Sequence, residues 1–103
     1  MLTVAVTYAG GEGTRFDHAY YKDTHMPLVR RLWGPMGLQG DQVMRGQPGS
    51  DGKAPATVTM TLLTFASMDN FKAAADQHGA EIFGDIPKFY DGSPSLGFFE
   101  AAL

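Results

Sequence analysis

The chain contains no cysteine. Disulfide frameworks, thiolate metal sites and thiol nucleophiles are thereby excluded. No apolar run approaches the ~20 residues that a membrane-spanning helix needs, so no membrane partner is expected. Positive charge is sparse. Eight Lys and Arg stand against eleven Asp and Glu, the formal net charge is −3, and Arg30–Arg31 is the only adjacent basic pair. A chain without a basic block makes a poor partner for nucleic acid or an anionic surface. The opening MLTVAVTYAGG lacks the basic start and the long apolar stretch of an export signal. A cytoplasmic location is the expectation.

What remains is an ordinary globular balance: 103 residues, 44% hydrophobic and 18% charged. That length suits one domain over residues 1–103, with one core. LTVAVTY (2–8) alternates and is rich in β-branched residues, which predicts a strand. AGGEG (9–13) reads as a turn. TRFD (14–17) has the form of a capping box in its acidic variant, so a helix is expected from about Arg15 to Trp33, with Thr14 as its cap and GPMG (34–37) as its stop. LQGDQVMRG (38–46) is a weaker strand broken by Gly40, and 47–55 is loop. ATVTMTLLTF (56–65) is a second strong strand. Ser67 caps a second helix that Gly79 is expected to close. Residues 80–95 read as an irregular connector and LGFFEAAL (96–103) as a short last strand.

This order, β-α-β-β-α-β, predicts an α+β, ferredoxin-like fold with an antiparallel sheet, its first and third strands central. Helices then cover one sheet face only. The expected helix-facing set is Leu2, Val4, Val6 and Tyr8 with Val58, Met60 and Leu62. The other face, Thr3, Ala5 and Thr7 with the Thr57, Thr59, Thr61, Leu63 and Phe65 set, carries almost no charge. A homodimer burying it is expected.

At about 100° per residue, Tyr21, His25, Leu28 and Leu32 share a stripe, with His18 and Val29 beside it. Pro27 interrupts that stripe: it lacks an N–H and its ring crowds the turn before it. A kink around Thr24–Met26 is expected, opening space that His25 and Tyr21 face. Two readings of His25 stand: a pocket residue, or a buried structural histidine bonded to a carbonyl that Pro27 frees. Tyr20 reads as a core aromatic, and Asp85 and Asp91 as loop polarity. His78, next to Gly79, reads as a partner for a helix end. GGEGT lacks the third glycine of a dinucleotide fingerprint, with Phe16 in its place, and has no phosphate-binding lysine. His18 and His25 lie roughly 10 Å apart along a helix, too far to share a metal. No metal site and no cofactor-binding residue is expected.

FDHAYYKDTHMPLVRRL, with FGDIPKFYDGSPSLGFFE near the C-terminus, resembles the EthD-like family, named for ethyl tert-butyl ether degradation. The carrying residues are Phe16, Tyr20-Tyr21 and His25-Met26-Pro27-Leu28, then Asp85-Ile86-Pro87-Lys88-Phe89-Tyr90-Asp91. The resemblance implies a dimeric α/β barrel and a small-molecule pocket between sheet and helices. The wider superfamily holds cofactor-free monooxygenases, isomerases and haem enzymes. The expected function is an enzyme of a catabolic or biosynthetic oxidative pathway, working without a cofactor on a small, apolar, oxygenated substrate by proton transfer or monooxygenase-type chemistry. His25 would be the general base or acid. Tyr21 would bind a substrate oxygen or orient the imidazole, and Asp17 would tune either. The alternative is a non-catalytic accessory protein holding a ligand for a partner oxygenase.

Overall fold

The computed structural model describes residues 1–11 and 13–102. Strand β1 (Leu2–Ala9) is followed by one continuous helix in three parts: α1 (His18–Tyr20), a π-helical turn (Tyr21–His25) and α2 (Met26–Trp33). Strands β2 (Leu38–Arg45) and β3 (Thr57–Phe65) form a hairpin, α3 (Met68–Gly84) crosses back, and β4 (Ser95–Phe99) ends the sheet. All pairings are antiparallel and the strand order is β2-β3-β1-β4. This is the ferredoxin-like α+β arrangement, with the two most apolar strands central. Gly40 marks the irregularity in β2, where the register against β3 shifts between Leu38 and Gly40. At the hairpin's far end the Gly46 N–H donates to the Val58 carbonyl at 2.9 Å. A Cβ at Gly46 would collide with the Thr57 carbonyl, so only glycine lets the two strands close there.

The helical caps differ from expectation in two places. Asp17, not Thr14, caps the first helix: its backbone is extended and its carboxylate accepts from the Tyr20 N–H. Arg15 and Phe16 stay outside the helix, because Phe16 bridges to Tyr90 and the Asp17 N–H donates to the Phe89 carbonyl. Ser67 caps α3 as expected. Gly79 does not end it. The helix runs on to Gly84, because Ile82 belongs to the core and extends the apolar face by another turn. His78 accordingly lies within the helix, away from its end.

Strand β3 has the opposite phase to the one expected. Val4 pairs with Leu63, Val6 with Thr61 and Tyr8 with Thr59, so Thr59, Thr61, Leu63 and Phe65 face the helices. The bulky pair Leu63 and Phe65, both buried, sets the phase of the whole strand and carries the two threonines inside. Thr61 is satisfied by a bond to the Tyr21 hydroxyl at 2.6 Å. The Thr59 hydroxyl has no partner among the described residues. The opposite face presents Thr3, Ala5, Thr7, Met60, Leu62 and Phe99 around a shallow concavity of ≈ 600 Å³.

The core has two aromatic centres. Tyr8, Phe16, Tyr21, Phe89 and Tyr90 meet edge to face or tilted at one end of the sheet. Trp33, Phe65, Phe71 and Phe83 do so at the other. The Trp33 indole N–H also donates to the Ala74 carbonyl at 2.9 Å, pinning α2 to α3. Trp33→Ala removes a fully buried ring and that bond together. It should lower unfolding stability by about 3–5 kcal/mol, measured by urea denaturation.

Candidate functional site

Pro27 shapes the site through the turn before it. An α-helical turn would press the proline ring against the Asp23 carbonyl, whose bonding partner the proline has removed. The chain widens instead: Tyr21–His25 is π-helical, and the Met26 N–H donates to the Tyr21 carbonyl five residues back. A π turn acts as one inserted residue. The inward stripe therefore steps from Tyr21 and His25 to Met26, Val29 and Trp33, all buried, while Leu28 and Leu32 lie only half-buried at the margin. His25 and Met26 are neighbours in sequence and both face inward.

His25 is 3% exposed. Its ring stacks on Tyr21 with centroids 5.2 Å apart and lies 4.5 Å from Phe89. Its Nδ1 stands 2.9 Å from Oδ2 of Asp85. Asp85 sits where α3 passes into the 3-10 turn Ile86–Lys88. Its other oxygen accepts from the Tyr20 hydroxyl at 2.8 Å, and the Lys88 ammonium lies 3.7 Å away. The turn is held from outside by the Arg15 guanidinium, which donates to the carbonyls of Pro87 at 2.7 Å and Lys88 at 3.3 Å.

The electrostatics fix the tautomer. Burial pushes Asp85 upward, but the hydrogen bonds from His25 and Tyr20, with nearby positive charge, outweigh burial and hold it below the ordinary carboxylate value. Burial pushes His25 below its ordinary value, and the bond and charge of Asp85 restore only part of the loss. At neutral pH the pair is a carboxylate and a neutral imidazole. A carboxylate only accepts, so the imidazole proton is on Nδ1 and Nε2 keeps its lone pair. Nε2 has no hydrogen bond to any described residue, yet it is not a sealed polar atom. A carboxylate at the C-terminal end of a helix also opposes the helix dipole, so packing alone does not account for Asp85.

His25 and Tyr21 both line a cavity of ≈ 20 Å³ between the helices and the sheet. Thr61 and Tyr8 join them at its polar end. Val6, Val29, Leu63 and Ile82 are among the apolar walls. Burial raises the Tyr21 hydroxyl above the ordinary phenol value even though its bonds to Thr61 and Tyr8 counteract this. The hydroxyl therefore keeps its proton at neutral pH and remains a donor.

Of the residues expected at the site, His25 and Tyr21 lie together. Asp17 does not join them: its carboxylate is committed to capping α1, and the carboxylate on His25 is Asp85. Tyr20 is not merely a core aromatic, since its hydroxyl binds Asp85. The available signal for Asp85 was its setting, an acidic residue within the aromatic stretch FGDIPKFY. Among the described residues no group of three or more His, Cys, Asp or Glu could hold a metal ion, and no helix is long and apolar enough to cross a membrane.

Known proteins share this architecture. An EthD-like protein from Ralstonia eutropha JMP134 is 43% identical, with a TM-score of 0.91 over 99% of this chain and 92% of its own. An ethyl tert-butyl ether degradation family protein from Bacillus halodurans C-125 is 24% identical, with a TM-score of 0.74 over 98% of each chain. SnoaB, a cofactor-independent oxygenase from Streptomyces nogalater, shares the fold at 12% identity and a TM-score of 0.68, over 99% of this chain and 92% of its own. No curated protein matches the sequence. Residues 11–93 match the EthD domain, and the chain belongs to the EthD family.

Proposed function

We propose that the protein is a small-molecule enzyme in which His25 acts as a general base through Nε2. The observation that carries this reading is the His25–Asp85 contact at 2.9 Å, which leaves Nε2 unengaged on a ring that lines the cavity. Nε2 would take a proton from a weakly acidic C–H or O–H of a neutral, mainly apolar substrate. Tyr21 would donate to the oxygen on which negative charge develops, in a dry site where one hydrogen bond counts heavily. Asp85 would stabilise the imidazolium that forms and hold the ring in the productive tautomer.

The same deprotonation serves isomerisation, elimination, or attack of the resulting anion on dioxygen. The description of SnoaB as a cofactor-independent oxygenase supports keeping the last within this reading. The alternative, an accessory protein that only holds a ligand, draws support from the small size of the cavity. His25→Ala separates the two. As a general base, His25 should account for about 10²–10⁴ of the rate, with ligand binding retained. Unchanged flux in that variant would favour the accessory role.

We also propose that two copies pair through the uncovered sheet face. Its lining carries no charge apart from Glu100, and Met60, Leu62 and Phe99 would be poorly placed in water. Leu62→Lys should then yield a monomer, while the wild type sediments at twice 11.1 kDa. A wild-type mass of 11.1 kDa at micromolar concentration would refute the pairing.

NMR titration of the His25 ring tests the acid–base assignment. Its pKa should lie below the ordinary 6.5, because burial lowers it. Asp85→Asn removes the contribution that raises it, so the pKa should fall further in that variant. Activity should climb with pH along an acidic limb below 6.5, as the neutral imidazole fills, and flatten at neutrality. Unfolded His25 binds its proton more readily than folded His25. Its contribution to stability is therefore complete above 6.5 and is lost as pH falls through the lower folded value. A ring pKa above 6.5 would overturn the assignment.

A further inference from the structure

The His25 cavity, at ≈ 20 Å³, has room for about one water in this conformation. A substrate must therefore enlarge it, and its walls differ in how firmly they are held. Three of them, Phe83, Ile86 and Leu96, also wall a groove of ≈ 400 Å³ on the outside of the molecule. Pro87, Gly92, Ser93 and Pro94 complete that groove. The two spaces are thus separated by three side chains.

Phe83 lies in α3, and Ile86, 5% exposed, follows in the 3-10 turn that Arg15 clamps. Leu96 is different. It lies on β4, a five-residue edge strand paired on one side only, opposite Val6 of β1. The residues before it, Gly92–Pro94, form no helix or strand. Its side chain faces the helices, yet Leu96 remains 40% exposed. Short edge strands with few buried contacts open at the lowest free-energy cost. No charged side chain lines the cavity or the groove, apart from any charge His25 gains.

From this continuity we infer that Leu96 is the gate of the ligand site and the residue that limits the size of what enters. A neutral, largely apolar molecule bearing one hydroxyl or carbonyl passes from the groove beneath Leu96. It reaches His25 and Tyr21 with its oxygen leading, since these two supply polar atoms to the lining whereas Leu96, Phe83 and Ile86 are apolar. The inference rests on the reading of the cavity as a ligand site.

Phenol is a suitable probe, being neutral at pH 7 with an apolar ring and a single hydroxyl. Its arrival is read from the ring Cε1–H resonance of His25 in wild type, Leu96→Ala and Leu96→Trp. Leu96→Ala should bind phenol several-fold more tightly and exchange it faster, while Leu96→Trp should lose the response. Leu96→Ala trims a partly exposed side chain, so it decides the matter even if the tryptophan variant does not fold. Equal responses whatever occupies position 96, or none in Leu96→Ala, would overturn the gate. The base assignment stands or falls separately, on the titration of His25 without phenol.

Discussion

The hydrogen bond between His25 and Asp85 joins positions 60 residues apart and fixes much of the rest. One partner comes from the middle of the first helix, the other from the C-cap position of α3. For the two to meet, the helix must widen ahead of Pro27, and α3 must run past Gly79 to Gly84. The segment after Asp85 must then turn tightly enough for Phe89 to reach the Tyr8–Tyr21 cluster. Phe89 is fully buried, and its carbonyl receives the Asp17 N–H at the start of the first helix. The contact therefore closes a loop of structure that begins and ends at the same aromatic cluster.

The site combines two environments that pull in opposite directions. Burial disfavours charge on His25 and on Asp85 alike. Tyr20, His25 and Lys88 restore the carboxylate, whereas the imidazole has only Asp85 to restore its cation. The outcome is one charge in the pair at neutral pH, held on Asp85, which does not line the cavity. The imidazole that lines the cavity is therefore neutral, with its Nε2 lone pair uncommitted.

The topology could be read from local signals, since alternation, glycine breaks and the Ser67 cap each depend on a few neighbours. Where the reading failed, the deciding contacts were distant. Thr14 and Asp17 are both acceptable caps in sequence, and the bond to Phe89 selects Asp17. The two phases of β3 differ little in apolar content until Leu63 and Phe65 meet the helices. Gly79 looks like a stop until Ile82 is seen in the core. At the site, His25 and Tyr21 were visible because they share a helical stripe just ahead of a proline. Asp85 read as loop polarity, because its aromatic setting does not by itself reveal that its partner is a histidine 60 residues away.

The π turn has one more consequence. In a regular helix neighbouring residues point about 100° apart, so adjacent positions seldom both reach the interior. Here the widened turn gives the interior His25 and Met26 in succession. Upstream of that point the helix turns Tyr21 and His25 to the cavity, and downstream it lines the cavity's apolar side with Met26, Val29 and Trp33. The polar and the apolar lining of the cavity therefore come from successive stretches of one helix, with no loop between them.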